Sequence, residues 1–119
     1  MNENDMYCED VISKKIPVEV VKETDSVLAF HHTKPRWKTH IVVTPKKHFE
    51  SLIDLANSSD DTLIKELLSV SAEVAESIES GEGGCVISTS VGSDQHSKHF
   101  HVDIHHGEEI PMEPMSPVA

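Results

Sequence analysis

From His99 to His105 the chain alternates without a break between ionisable and apolar side chains: His99, His101, Asp103 and His105 against Phe100, Val102 and Ile104. A strand repeats every two residues, so the pattern predicts a β-strand with Phe100, Val102 and Ile104 toward a core and four ionisable groups sharing the other face. The apolar side needs a covering layer. One segment can supply it, because Leu63, Ile64, Leu67, Leu68, Val74, Ala75 and Ile78 recur at helical spacing among charged residues. Ser58 or Ser59 is expected to cap this helix, Asp60 and Asp61 favour the positive end of its dipole, and Gly81 is expected to close it. Strands with one long helix between them predict an α+β fold.

The remaining segments are shorter. Residues 6–13 read as a short N-terminal helical turn, ended at Ile16-Pro17 because proline disfavours helix in the residue before it. Val18, Val20 and Val21 form a first β segment, Glu23-Thr24-Asp25 a turn, and Ser26–His31 a second strand of the same hairpin. Residues 34–38 with Pro35 read as a loop, and His40–Thr44 as a β-branched strand stopped by Pro45. Cys85–Ser90 and Lys98–His106 complete the strands, separated by the turn Gly92-Ser93-Asp94. The length of 119 residues suits one domain, expected over 1–107 with residues 1–5 flexible and 108–119 an extended tail.

The formal charge of −11 opposes a phosphate backbone, so nucleic acid is not an expected partner. The acid is unevenly placed. Residues 1–60 hold 8 Lys/Arg against 10 Asp/Glu, whereas residues 61–119 hold 2 against 11. The basic residues cluster loosely as Lys34, Arg36, Lys38, Lys46 and Lys47, so an anion site should draw on the first half or on histidines. No apolar run approaches the roughly 20 residues that span a bilayer, and the start is acidic, so no membrane is expected as a partner. The expected location is cytoplasmic, and nuclear as well if the source is eukaryotic. Cys8 and Cys85 are far apart and are read as reduced thiols, Cys85 as a buried apolar residue.

Nine histidines in 119 residues ask for a cause, and five of them lie between His96 and His106. A solvated strand face is one reading. A metal pair is another, since imidazoles two apart on a strand can reach one ion. The third is a reactive site, because Asp103 is a carboxylate able to orient an imidazole by accepting its second N–H.

These residues resemble the histidine triad family, Hint branch: Gln95 stands four before His99, and His99-Phe100-His101-Val102 follow in the family's order. Ile16-Pro17, Glu23-Thr24-Asp25, Leu28-Ala29-Phe30-His31, Pro35 and His40-Ile41-Val42-Val43-Thr44-Pro45-Lys46-Lys47-His48 match it too, so the likeness covers about residues 6–107. The resemblance implies an antiparallel sheet of about five strands with a central helix, doubled in a homodimer. It implies a nucleotide ligand, a purine by preference, in which His101 attacks the α-phosphorus of a phosphoramidate or dinucleoside polyphosphate to give a nucleotidyl-histidine that water hydrolyses. Neutral imidazole is nucleophilic near pH 7, which suits that role. His99 and His40 match the flanking histidines, and the backbone around Lys98–Val102 is expected to donate to phosphate. Substrate binding is expected at Phe30, His31, His32, Ser90, Gln95 and Lys98.

Three positions depart from the family's pattern. Asp103 replaces the third histidine, His96 stands where a serine assists the leaving group, and His32 replaces the ribose-binding acid. His96 could act as a general acid or block the pocket. The alternative function is a catalytically weak nucleotide- or metal-binding module acting through a partner. No cofactor is required by the expected chemistry, although relatives hold a structural zinc. For that ion the chain retains His48 and His99, but Met6 and Glu9 stand where the family has cysteines, with Cys8 next door, so zinc is possible only in an altered site using Cys8 or Glu9. Trp37 can wall a base pocket by stacking, though a loop tryptophan more often covers a core edge or a dimer contact.

Overall fold

The computed structural model describes residues 11–111. Cys8, residues 1–5, most of the expected N-terminal turn and the tail beyond 111 lie outside the described residues. Five strands, β1 (Val20–Glu23), β2 (Val27–His31), β3 (Trp37–Pro45), β4 (Val86–Ser88) and β5 (Val102–Glu109), form one antiparallel sheet in the order β1-β2-β3-β5-β4. Two helices, α1 (Leu52–Asn57) and α2 (Asp61–Glu82), lie between β3 and β4.

The period of two sorts the sheet into two faces. Val27, Ala29, Ile41, Val43 and Ile104 are buried under α2, whose Leu63, Leu67, Val70, Val74 and Ile78 meet them with Phe100 and Phe49. Each of these side chains larger than alanine contributes roughly 1.5–3 kcal/mol relative to exposure. Leu28, Phe30 and Val42 take the other face, where Val11 seals them with Ile12, Ile16 and Val18 packed around. Because Val42 pairs with Asp103 and His40 pairs with His105, those three ionisable groups share the face opposite α2.

Several boundaries differ from the sequence reading. Asp60, not Ser58 or Ser59, caps α2 by accepting from the Leu63 N–H at 3.2 Å. Gly83, not Gly81, closes it with φ 102°, since the helical hydrogen bonds carry on through Gly81 at a modest cost in propensity. Strand β3 begins at Trp37, inside the expected loop, and β4 is only Val86–Ser88. Strand β5 starts at Val102 rather than Lys98 and continues through Glu108 and Glu109, into the expected tail. The short helix α1 has no counterpart in the sequence reading; Ser51 caps it by accepting from the Ile53 N–H, and Leu55 is its one buried residue.

Candidate functional site

The segment before β5 is locked from both sides. The Phe100 N–H donates to the Phe49 carbonyl at 2.6 Å, the Phe100 carbonyl accepts from Thr44 Oγ1 at 2.9 Å, and Thr89 Oγ1 donates to the His101 carbonyl at 2.7 Å. The His99 N–H donates to Ser97 Oγ at 3.3 Å. The N–H groups of His99 and Phe100 are thus spent on the fold, which leaves the rest of the Lys98–Val102 backbone as the segment expected to donate to phosphate.

Acceptor chemistry assigns the imidazole tautomers. His101 Nδ1 lies 3.1 Å from the His99 carbonyl, which can only accept, so Nδ1 carries a proton and Nε2 is the other reactive atom. His40 Nδ1 accepts from the Arg36 backbone N–H at 3.0 Å, so Nε2–H donates to Asp103 Oδ1 at 2.8 Å. Asp103 Oδ2 lies 3.4 Å from His101 Nε2. Asp103 therefore sits between the two histidines. Burial raises its pKa, but hydrogen bonds from His101 and His40 outweigh this and hold it well below the usual carboxylate range.

His99 was expected on the open face with His101, Asp103 and His105; it is instead 1% exposed. It precedes the regular strand, so the strand period does not govern it. Its Nε2–H donates to the Pro45 carbonyl at 2.8 Å, leaving Nδ1 to accept from His48 Nδ1–H at 3.1 Å. Those two imidazoles could supply half of a tetrahedral zinc shell. Among the described residues no three His, Cys, Asp or Glu groups assemble into a metal site, and Cys8 lies outside them. The described residues alone do not fit a zinc ion.

Around this centre the rings form a continuous wall. His32 stacks on His40 with centroids 4.6 Å apart, and its Nδ1 accepts from the Lys34 N–H at 2.9 Å. Burial, then the His40, His101 and Arg36 charges, lower its pKa to about 4, with Asp103 opposing. His105 is lowered in the same direction, first by burial and then by His40, with Asp103 and Glu109 opposing. Trp37 stacks on His105 at 3.6 Å and meets His40 edge-on at 5.0 Å. A bulge between Trp37 and Thr39 turns the tryptophan onto this face.

Other expected site residues are placed differently. Phe30 is fully buried, packed with Val11, Leu28 and Val42 on the face opposite α2, rather than open to a ligand. His31 pairs with Ile41, which puts it on the α2 side of the sheet, with Glu19 4.0 Å away. The Gln95 amide is engaged by the fold, donating to the Glu50 and Ser97 carbonyls and accepting from the Gly92 N–H. Lys98 Nζ donates to the Gly92 carbonyl at 2.6 Å. His96 and Ser90 are exposed on either side of the turn Gly92–Asp94. Sequence reasoning missed the site roles of Arg36, Thr89 and His105; the last was visible as a member of the alternating face.

A model of the HIT domain matches residues 13–108. A 13.2 kDa HIT-like protein of Azospirillum brasilense is 30% identical over 102 residues, covering 84% of each chain. Protein HitA of Neisseria gonorrhoeae is 30% identical over 103 residues, covering 86% of this chain and 94% of its own. Among solved structures, a histidine triad protein from Clostridium difficile superposes with a TM-score of 0.73 at 32% identity, covering 95% and 98% of the two chains. A HIT family hydrolase from Legionella pneumophila does so with a TM-score of 0.75 at 28% identity, covering 93% and 99%. The matched span contains all of the sheet but the last residue of β5, together with the long helix and the histidine wall, and on that ground the chain belongs to the HIT domain family.

Proposed function

We propose that this chain is a Hint-type nucleotide hydrolase in which His101 is the nucleophile. The observation that carries the reading is the His101 Nδ1–H donated to the His99 carbonyl, which makes Nε2 the attacking atom once the proton it shares with Asp103 has left. In its neutral form Nε2 bonds to the α-phosphorus of a nucleoside phosphoramidate or dinucleoside polyphosphate. The bond to the leaving group breaks, its electron pair departs with the leaving atom, and a proton neutralises that atom. Water then attacks the nucleotidyl-histidine, releases the nucleoside monophosphate and restores His101. Asp103 orients both His40 and His101, while His99 supplies the carbonyl that fixes the nucleophile's tautomer. His96, exposed beside Gln95, is the candidate proton donor to the leaving group.

The test is steady-state hydrolysis of adenosine 5′-phosphoramidate by wild type and His101→Ala. Loss of about three orders of magnitude or more in the variant is expected, in line with removal of a covalent nucleophile. Full activity in the variant would sink the reading.

A second reading has its own support. An ionised Asp103 3.4 Å from His101 Nε2 opposes the approach of a phosphate, which favours a weak nucleotide-binding module acting through a partner. Nucleotide binding without turnover would select it.

The proposal includes a homodimer. Strand β4 is an edge strand with Val86 and Ile87 each 53% exposed, and Leu68 on α2 is 67% exposed. Pairing of β4 with its copy would make a ten-stranded sheet and cover these side chains. Light scattering at micromolar concentration should return twice the 13.2 kDa chain mass.

A further inference from the structure

We infer that the Arg36 guanidinium is the receptor for a phosphate group in the leaving half of the substrate, so that the site selects a phosphorylated leaving group over a neutral amine. The inference rests on the nucleotide reading above and concerns a residue outside the triad.

Arg36 is anchored at both of its backbone ends. Its N–H donates to His40 Nδ1 at 3.0 Å and its carbonyl accepts from the Ile110 N–H at 2.7 Å. The side chain therefore leaves from a fixed base against the imidazole that Asp103 orients. Its Nε is buried and has no hydrogen-bond partner among the described residues. Nη2 meets Glu109 Oε2 only at 3.4 Å, and that glutamate side chain is 61% exposed. Nε is closed off from solvent, so the donors an anion can meet lie on the Nη edge, where one long contact to an exposed carboxylate leaves hydrogen-bonding capacity unused.

Guanidinium chemistry narrows that ligand. The group cannot lose its proton, offers only donors and presents them in a plane, an arrangement that fits the oxygens of a phosphate. Lys34 and Lys38 flank Arg36 with no acidic residue between 34 and 38, so the segment is locally basic in a chain of charge −11. Arg36 and His101 both act electrostatically on His32, which stacks on His40. A substrate with its α-phosphate at His101 can thus carry its next phosphates along the histidine wall toward Arg36. Glu109 is the acidic group that faces the same guanidinium, and its exposure lets it swing away when an anion arrives. A neutral amine leaving group brings no anionic oxygens for the guanidinium to pair with.

The test has two arms. In the first, inorganic diphosphate is titrated calorimetrically into wild type and Arg36→Gln. In the second, kcat/KM is compared for diadenosine triphosphate and adenosine 5′-phosphoramidate. The backbone N–H that holds His40 survives the substitution, so the His40 Nδ1 chemical shift serves as the structural control. Arg36→Gln should weaken diphosphate binding about tenfold or more, the scale of one charged hydrogen bond, and shift the ratio of the two kcat/KM values by a similar factor against the triphosphate. Equal diphosphate binding by both proteins, no binding by wild type, or an unchanged ratio would each overturn the inference. If wild type hydrolyses neither substrate, the hydrolase reading fails, and the diphosphate titration alone still decides the role of Arg36.

Discussion

Asp103 meets two histidines at once, His40 Nε2 2.8 Å from Oδ1 and His101 Nε2 3.4 Å from Oδ2, and so ties strand β3 to the start of β5. Asp103→Asn keeps the shape and removes the charge, and one of its two atoms can no longer accept. Stability is expected to fall by about 1–3 kcal/mol, as for a buried donor that loses its charged partner. Urea unfolding measures this. An unchanged midpoint would mean that the contacts are not maintained in solution.

The depressed His32 pKa carries a sign. The unfolded imidazole takes up a proton near pH 6.5, whereas the folded one resists until about pH 4. In that window the unfolded state binds more protons, so stability rises with pH between about 4 and 6.5 and falls on acidification. His105 adds in the same direction. Thermal unfolding followed from pH 7 to pH 4 should therefore show a drop in Tm that is smaller in His32→Asn. Parallel curves for the two proteins would assign the acid loss to other groups.

Trp37 is the one tryptophan, and its ring lies 3.6 Å from His105. A protonated imidazole in that position quenches indole emission. Fluorescence should fall on acidification with a midpoint below 6.5, the direction in which His105 is shifted, and His105→Phe should abolish the titration. A midpoint at or above 6.5 would contradict the packing.

Gly107 has φ 94°, and a Cβ there would come within 2.7 Å of Lys38 Cβ. Gly107→Ala is expected to cost about 1–3 kcal/mol through backbone strain and the clash with the bulged segment of β3. Chemical denaturation that shows no loss would mean that β5 bends otherwise at this point.

The main elements were legible in the sequence because each carries a simple apolar pattern. The helical repeat from Leu63 to Ile78 and the unbroken apolar runs Leu28-Ala29-Phe30 and Ile41-Val42-Val43, which are buried on both faces of the sheet, were sufficient to identify their elements. Helix α1 was not legible, since six residues with Leu55 alone buried leave no repeat to detect. The true cap Gly83 was masked by Gly81 two residues earlier. At the site, alternation placed Asp103 and His105 on one face but failed for His99, which lies ahead of the regular strand. Trp37 reaches the face through a bulge, and Arg36 through a backbone bond to His40; both depend on tertiary register that no local pattern encodes.

The most direct test of covalent catalysis is rapid mixing of the protein with adenosine 5′-phosphoramidate, quenching, and intact-mass measurement. A transient gain of one adenylyl group is expected on wild type, mapped to His101 by fragmentation and absent in His101→Ala. Product formation with no adduct at any quench time, or an adduct on another residue, would contradict it.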